Sequence, residues 1–267
     1  MTKAARVILG IDTAGRFGSI ALAEDGPASA WETLPPGEHS SRLSRAAERI
    51  LGKRNRSWRD LTGIAVSSGP GSFTGLRIGL AWAKGVCFGS PAKLTLVSAH
   101  EANAYRHRDA GAWIAAVLQG ERGEAQASLW RGGPEPALLW GPERVPEKDL
   151  AGTLREAAAR FAAAEPPSAA RFPAAAGLPA AAGTPAIAIA GPDLKPELIA
   201  SLEEAGFVLL DPEPPRSRIQ ERPHPLPPTA AAVAELGDRN LLAGHEEDPA
   251  LAAPAYGRAP NARRPSS

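Results

Sequence analysis

The order of the predicted strands and helices occurs twice along this chain, and this repeat constrains the fold more than any other feature of the sequence. The first copy starts at Val7, ends near residue 97, and reads strand, strand, strand, helix, strand, helix, strand. The second copy starts at Trp113, ends near residue 210 and follows the same order. Two copies of one α/β unit predict a duplicated fold instead of a single doubly wound sheet.

The repeat divides the chain into three predicted parts. Residues 1–106 form the first domain, residues 107–222 the second, and residues 223–267 a helix and tail that pack back on the first domain. An Ala- and Pro-rich tract at 165–185 predicts a flexible insertion, and a second Pro-rich tract at 212–228 predicts an extended linker. The β-β-β-α-β-α plan of each domain resembles that of the actin-like ATPases and sugar kinases, whose domains are ribonuclease H-like.

The composition narrows the function by exclusion. Thirty basic and 29 acidic side chains leave a net charge of +1, which disfavours a module that binds nucleic acid through phosphates alone. Cys87 is the only cysteine, which excludes an internal disulfide and a cysteine-based zinc site and fits a reducing compartment. No apolar run is long enough to cross a membrane and no signal sequence is recognisable, so we expect a cytoplasmic protein.

Two turns hold the residues most typical of a ligand site. The first follows a buried strand, and in actin-like ATPases such a turn approaches a nucleotide phosphate and its metal. The second is the loop GPGSFTG at 69–75, which precedes a helix whose N-terminus favours an anion. The loop lacks the Gly-Lys-Ser/Thr ending of a P-loop, so both turns also fit a structural role without any ligand. The residues of this degenerate nucleotide cleft are Asp12, Thr13, Gly69, Gly71 and Ser72.

Four stretches of the sequence show a resemblance to a known family. They are IDTAGRFGSIALAEDG from residue 11, HSSRL from residue 39, SSGPGSFTGLRIGLAWAKG from residue 67 and PAYGR from residue 254. Together they resemble the TsaB family, also called YeaZ, whose members are the dimerisation subunits of the machinery that makes N6-threonylcarbamoyladenosine in tRNA. The match is dense over residues 7–105 and thin thereafter. The turn QGERGE at 119–124 departs from the family's usual Asp-Ala-Arg-x-Gly-Glu.

The resemblance implies a subunit without a catalytic site. TsaD, the catalytic paralogue of TsaB, binds a metal through two histidines four residues apart on one helical face. The two matching positions of this chain hold Ala99 and Asn103, and His100 is one residue out of register. We therefore expect no metal, no catalytic residue and no tightly bound cofactor. The sequence leaves open whether a nucleotide occupies a cleft between the domains or between subunits.

The resemblance also implies partners. As a scaffold and activator, the chain would hold a TsaD-type subunit while that subunit transfers threonylcarbamoyl to N6 of the adenosine 3′ of the anticodon, in tRNAs that read codons beginning with A. A TsaE-type ATPase is the implied third partner, tRNA is reached through the complex, and no membrane is involved. The sequence leaves open whether the chain forms a homodimer when its partner is absent.

The helix at 74–88 is predicted to form part of the partner interface. Its polar residues Thr74, Arg77 and Lys84 lie on one narrow stripe, and the other positions are apolar or glycine. So wide an apolar surface fits either a helix buried inside the domain or a helix that also meets a partner. The resemblance favours the partner, because TsaB is expected to pair through this helix and the preceding one. The predicted interface residues are Leu43, Ala47, Ile50, Leu76, Gly79, Leu80 and Ala83.

Three other functions are weighed against this one. A small ATP-dependent kinase of the same fold needs a complete second phosphate loop, for which AGPD at 190–193 is a poor candidate. A metallopeptidase needs the paired histidines that this chain lacks, so only an inactive relative of one fits. A plain RNA-binding module is disfavoured by the near-neutral charge and by only two tyrosines for stacking on bases.

Overall fold

The first half of the chain folds as three strands, a helix, a strand, a helix, a strand and a short final helix. The computed structural model describes residues 5–110, 113–164, 186–211 and 227–255. In the first of these ranges the elements are β1 (Val7–Asp12), β2 (Gly18–Glu24), β3 (Ala28–Leu34), α1 (His39–Lys53), β4 (Gly63–Gly69), α2 (Phe73–Gly89), β5 (Lys93–Ser98) and α3 (Ala99–Arg106).

The second half repeats the order of the first, and one more helix follows it. The elements are β6 (Trp113–Gln119), β7 (Glu124–Arg131), β8 (Ala137–Pro146), α4 (Leu150–Ala164), β9 (Ile187–Ala190), α5 (Pro196–Glu204), β10 (Val208–Leu209) and α6 (Thr229–Leu242). The predicted insertion at 165–185, most of the predicted linker at 212–228 and the end of the tail lie outside the described residues.

The two five-stranded sheets have the same topology, which confirms the predicted duplicated α/β fold of actin-like type. The strand order is β3-β2-β1-β4-β5 in one sheet and β8-β7-β6-β9-β10 in the other. In the first sheet β1 pairs antiparallel with β2 and parallel with β4. In the second sheet β6 pairs antiparallel with β7 and parallel with β9. Each central strand therefore ends at the same edge as its parallel neighbour, which is where the candidate site lies.

Helices cover both faces of the first sheet. On one face α1 and α2 bury Leu43, Ile50 and Ala83 in a cluster that includes Leu9 and Ile11 of β1. These helical residues lie on the apolar stripe that the spacing predicts. On the other face lie α3 and α6, and α6 contacts all five strands of the sheet. The first sheet is therefore enclosed on both sides by helices of its own chain.

Two glycines allow α6 to lie directly on the first sheet. A Cβ on Gly10 would be 2.4 Å from the carbonyl oxygen of Ala230, and one on Gly237 would be 2.2 Å from the Cβ of Ala65. Because neither distance leaves room for a side chain, glycine is required at both positions. Although α6 follows the second domain in sequence, it is packed as part of the first.

Two elements differ from what the sequence predicts, each for a local reason. The helix α3 is not predicted because it is only eight residues long and buries the polar side chains of His100 and Asn103 along with its apolar ones, so polarity does not mark its exposed face. The strand β8 is predicted at 136–140 but extends to Pro146. Proline is tolerated in an edge strand, and among the described strands β8 lies at the edge of its sheet.

A buried ion cluster fastens the end of the second sheet to the end of α3. Nε2 of His107 lies 2.7 Å from Oδ2 of Asp211, and the guanidinium of Arg106 pairs with the other carboxylate oxygen. Nε of Arg106 also donates a 2.7 Å hydrogen bond to the carbonyl oxygen of Pro227. Burial alone would raise the pKa of Asp211, but His107 and Arg106 outweigh it and hold that pKa below its ordinary value.

A membrane span is not found among the described ranges. None of the helices there has both the length and the apolar character that crossing a bilayer requires.

Candidate functional site

The two turns that the sequence predicts as a nucleotide cleft lie against each other. The hydroxyl of Thr13 donates a 2.7 Å hydrogen bond to the carbonyl oxygen of Gly75. The amide of Ser72 donates a hydrogen bond of the same length to the carbonyl oxygen of Ala14. Ser72 also caps α2, because its hydroxyl accepts the N–H of Gly75 at 3.2 Å. The glycine loop and the start of α2 are therefore bound by the turn between β1 and β2.

Glycines of this loop and of the first turns of α2 are required by the same contact. A Cβ on Gly71 would lie 2.6 Å from the carbonyl oxygen of Ala14. A Cβ on Gly75 would lie 2.0 Å from the carbonyl oxygen of Thr13, and one on Gly79 would lie 2.4 Å from the Thr13 hydroxyl oxygen. A structural role, as a tight strand-to-helix turn, thus accounts for these glycines without any ligand.

Gly69 has a different reason to be glycine. Its φ of +103° lies in the left-handed region, and a Cβ there would be 3.0 Å from the carbonyl oxygen of Ala255. The amide of Ala255 donates a 2.8 Å hydrogen bond to the carbonyl oxygen of Ser68. The last described residues of the chain therefore cover the start of the glycine loop.

Asp12 lies among polar groups where β1 and β4 end. Its Oδ1 accepts the N–H of Ala14 at 3.0 Å. Burial raises the pKa of Asp12, and the nearby charge of Asp193 adds to this rise. The Ser67 side chain interacts with Asp12 and opposes this rise, while within the described part of the chain the buried Nε2 of His39 has no hydrogen-bond partner.

The second domain reaches the same turn through Asp193, in the loop after β9. The Oδ2 atom of Asp193 accepts the N–H of Arg16 at 2.6 Å. A Cβ on Gly15 would lie 2.5 Å from the same oxygen. From the sequence, this loop is only a poor candidate for a second phosphate-binding loop. Its contact with the first domain appears only in the structure. The structure therefore adds Asp193 and Arg16 to the residues of the cleft.

The positions that match the histidine pair of TsaD have a packing role. The side-chain amide of Asn103 donates a 2.7 Å hydrogen bond to the carbonyl oxygen of Ala99. His100 is buried, with Nδ1 3.2 Å from the carbonyl oxygen of Ala116 and 2.9 Å from the hydroxyl of Ser128. Burial lowers the pKa of His100 to about 4. In the ranges that the structure describes, no three His, Cys, Asp or Glu side chains are grouped as ligands for one metal ion.

The structure buries all seven predicted interface residues inside the first domain, so their side chains do not form its surface, and their place in a partner interface stays a prediction. The helical spacing identifies which residues share a face, but it does not reveal whether that face meets the protein's own sheet or another chain. Here it meets the protein's own sheet. The buried residues are Leu43, Ala47, Ile50, Leu76, Gly79, Leu80 and Ala83.

The opposite side of α2 is exposed, and we call it the outward face. It consists of Thr74, Arg77, Ala81, Gly85 and Phe88, which recur at helical spacing and are all exposed. Phe88 is 74% exposed, and a Cβ on Gly85 would meet no atom within 4 Å. The exposed small residues of α2 are Ala81 and Gly85, whereas the predicted interface residues Gly79 and Ala83 are buried.

Next to the outward face, α1 exposes a charged surface. Arg42 pairs with Glu38, and Arg49 pairs with Glu32. The two helices are joined by Trp82, whose Nε1 donates a 2.8 Å hydrogen bond to a serine hydroxyl of α1. Phenylalanine and arginine are among the side chains that are enriched at protein–protein interfaces.

The model of one known protein family matches part of this chain. The model described as TsaD: tRNA N6-adenosine threonylcarbamoyltransferase matches residues 36–128. This segment contains α1, α2 and the whole outward face, and it ends within the first hairpin of the second domain.

Two curated bacterial proteins named tRNA threonylcarbamoyladenosine biosynthesis protein TsaB are similar in sequence. The protein from Escherichia coli is 33% identical over 156 residues, which cover 53% of this chain and 65% of that protein. The protein from Bacillus subtilis is 31% identical over 125 residues, which cover 46% of this chain and 55% of that protein. The chain therefore spans between about half and two thirds of the length of these relatives.

Two solved structures from Pseudomonas aeruginosa share the fold over nearly the whole chain. One, described as a protein with similarity to peptidase YeaZ, has a TM-score of 0.64 at 22% identity and covers 95% of this chain and 100% of its own. The other, YeaZ, has a TM-score of 0.62 at 21% identity and covers 94% of this chain and 99% of its own. The chain is therefore similar in sequence to proteins named TsaB, and it shares its fold with structures named YeaZ.

Proposed function

We propose that this chain is a non-catalytic subunit of the machinery that makes N6-threonylcarbamoyladenosine in tRNA, where it holds a TsaD-type catalytic subunit in its working shape. The observation that carries the proposal is the outward face of α2. This face is exposed on a helix of the segment that matches the TsaD model, residues 36–128.

The chemistry of the outward face supports a helical partner. Gly85 and Ala81 leave the backbone of α2 accessible, which allows another helix to approach closely. Phe88, at 74% exposed, provides an apolar side chain that a partner would bury, and burying an aromatic side chain is among the larger contributions to an interface.

The match to the TsaD model supports the identity of that partner. Because residues 36–128 are similar to TsaD, a TsaD-type subunit would have helices equivalent to α1 and α2. Two related surfaces can then pair about an approximate two-fold axis, as in most protein dimers. The same argument allows a homodimer of this chain, which would compete with the heterodimer for the outward face.

The cleft supports a non-catalytic role for this subunit. The glycine loop is bound by the chain's own turn at Thr13 and Ala14, so its amides and glycines are used in folding. The positions of the histidine pair hold Ala99 and Asn103, neither of which supplies an imidazole. In the proposed complex the TsaD-type subunit performs the transfer to N6 of the adenosine 3′ of the anticodon, in tRNAs that read codons beginning with A. A TsaE-type ATPase completes the complex, and tRNA is bound through it.

Reconstitution tests the proposed function. The TsaD-type subunit, a TsaE-type ATPase, threonylcarbamoyl adenylate and a tRNA that reads a codon beginning with A are incubated with and without this chain. We expect modified adenosine to form only in the presence of this chain. Asp12→Asn, which keeps the acceptor for the Ala14 amide, should leave the rate within about twofold of wild type. A folded Asp12→Asn variant that lost about a hundredfold in rate would show a catalytic role for this subunit.

A further inference from the structure

The two domains touch at a hydrogen bond that involves a charged group. Oδ2 of Asp193, in the second domain, accepts the backbone N–H of Arg16, in the first, at 2.6 Å. Hydrogen bonds from an N–H to a carboxylate are shorter and roughly twice as strong as those between neutral groups. The contact joins residues 177 positions apart, one in each domain, at an exposed position.

We propose that the carboxylate of Asp193 is a built-in anion that closes the cleft: it occupies the Arg16 amide, which an external oxyanion such as phosphate would otherwise bind, and it holds the second domain against the first. This inference concerns the isolated chain, so it goes beyond the proposed function and does not depend on it.

The turn that binds Asp193 is fixed from its other side by the first domain. Ala14 accepts the N–H of Ser72 at 2.7 Å, while its own N–H donates to Oδ1 of Asp12 at 3.0 Å. With both polar atoms of Ala14 engaged, the turn is held rigid and the N–H of Arg16 is directed towards the second domain. A rigid, outwardly directed amide is the kind of donor that binds anions in turns.

The loop that presents Asp193 is also shaped for this contact. Asp193 has a positive φ of 63°, a conformation that costs energy for most residues and that Asp tolerates better than most. A Cβ on Gly191 would lie 2.8 Å from the carbonyl oxygen of Val117, so this glycine lets the loop lie directly on β6. On the first domain, a Cβ on Gly15 would lie 2.5 Å from Oδ2 of Asp193. Both sides of the contact thus have the backbone freedom that a close approach requires.

The occupied amide joins the two domains through a charged group of the chain itself. In the sequence, the turn after β1 resembles the phosphate-binding turn of actin-like ATPases. At this turn Asp193 provides the negative charge that a phosphate would bring. Because its carboxylate is part of the chain, its effective concentration at the turn is high, and a free anion must displace it to bind.

Hydrogen exchange on the isolated full chain tests this proposal. Asp193→Gly removes the carboxylate and tolerates the positive φ, and Asp193→Asn keeps the shape but removes the charge. The matched control is Glu197→Gln, which removes the same charge from an exposed residue at the start of α5. The rate of exchange at the Arg16 amide is measured for each protein, with and without inorganic phosphate.

We expect the Arg16 amide to exchange at least about tenfold faster in Asp193→Gly than in wild type, with an intermediate rate in Asp193→Asn. Glu197→Gln should match wild type. Inorganic phosphate should slow the exchange in Asp193→Gly and leave wild type unchanged. Equal exchange rates in wild type and in both Asp193 variants would overturn the proposal, as would phosphate that protects wild type as strongly as it protects the variant. If Asp193→Gly fails to fold, the Asp193→Asn comparison decides between the same two results.

Discussion

The carbonyl oxygen of Thr13 lies where a side chain on Gly75 would begin, since a Cβ at Gly75 would be only 2.0 Å from that oxygen. The start of α2 and the end of β1 are therefore in backbone contact, with the Thr13 hydroxyl bonded to the carbonyl of the same glycine at 2.7 Å. The glycine-rich loop resembles a phosphate-binding loop, but through this contact it packs the start of α2 against the end of β1.

This backbone contact predicts opposite effects on stability for substitutions at two glycines of α2. Gly75→Ala forces a methyl group into a backbone carbonyl and should lower the free energy of unfolding by about 3 kcal/mol or more. Gly85→Ala meets no atom within 4 Å and should stabilise the helix by up to about 1 kcal/mol. Urea unfolding of both variants measures the difference. Equal stabilities would contradict the packing role of the loop.

The buried ion cluster predicts a large cost for removing its acid. Asp211→Asn removes the carboxylate charge that pairs with Arg106 in a buried site, and we expect a loss of about 3 kcal/mol in the free energy of unfolding. Asp109→Asn is the control, because Asp109 is exposed, and it should change stability by less than about 0.5 kcal/mol. If thermal unfolding shows the same midpoint for both variants, the cluster does not stabilise the fold.

The buried His100 predicts a loss of stability in mild acid. Burial lowers its pKa to about 4 in the folded protein, whereas in the unfolded chain the pKa is near 6.5. Between these pH values the unfolded chain binds a proton that the folded chain does not, so stability falls as the pH decreases from about 6.5 to 4. This one residue should account for up to about 3 kcal/mol of that fall.

The fall is measured as the free energy of unfolding at several pH values, in wild type and in His100→Gln. The variant should have a shallower dependence on pH in this window, whatever its stability at neutral pH. Parallel curves for the two proteins would show that His100 is not the group that titrates.

The sequence predicts the fold well because strands and helices leave local patterns. The apolar stripe of α1 and the apolar runs of β1 and β4 identify these elements, and their repetition predicts the duplicated plan. The same patterns do not identify what each face meets. Ala83 and Gly85 are two positions apart on α2, yet one is buried in the core and the other is exposed.

The candidate site is harder to predict because its contacts join residues that are far apart in the sequence. The bond between Asp193 and Arg16 depends on how two domains close, and no local pattern marks it. The glycines of the loop were recognisable as special, but only the structure shows that the atoms they avoid belong to Thr13 and Ala14.

The central claim is that the outward face of α2 binds a TsaD-type subunit, and three arginine substitutions test it on the intact chain. Gly85→Arg adds a long charged side chain to the outward face, and Gly152→Arg adds the same side chain to α4, at an exposed glycine where a Cβ would meet no atom within 4 Å. Ala83→Arg places the charge in the core of the first domain and should unfold it.

The deciding measurement is the dissociation constant of the TsaD-type subunit, alongside the melting temperature of each variant. We expect Gly85→Arg to melt like wild type but to bind about a hundredfold more weakly, because an unpaired charge in a desolvated interface costs about 3 kcal/mol. Gly152→Arg should bind as tightly as wild type. A folded Gly85→Arg variant that binds the TsaD-type subunit with unchanged affinity would contradict the account.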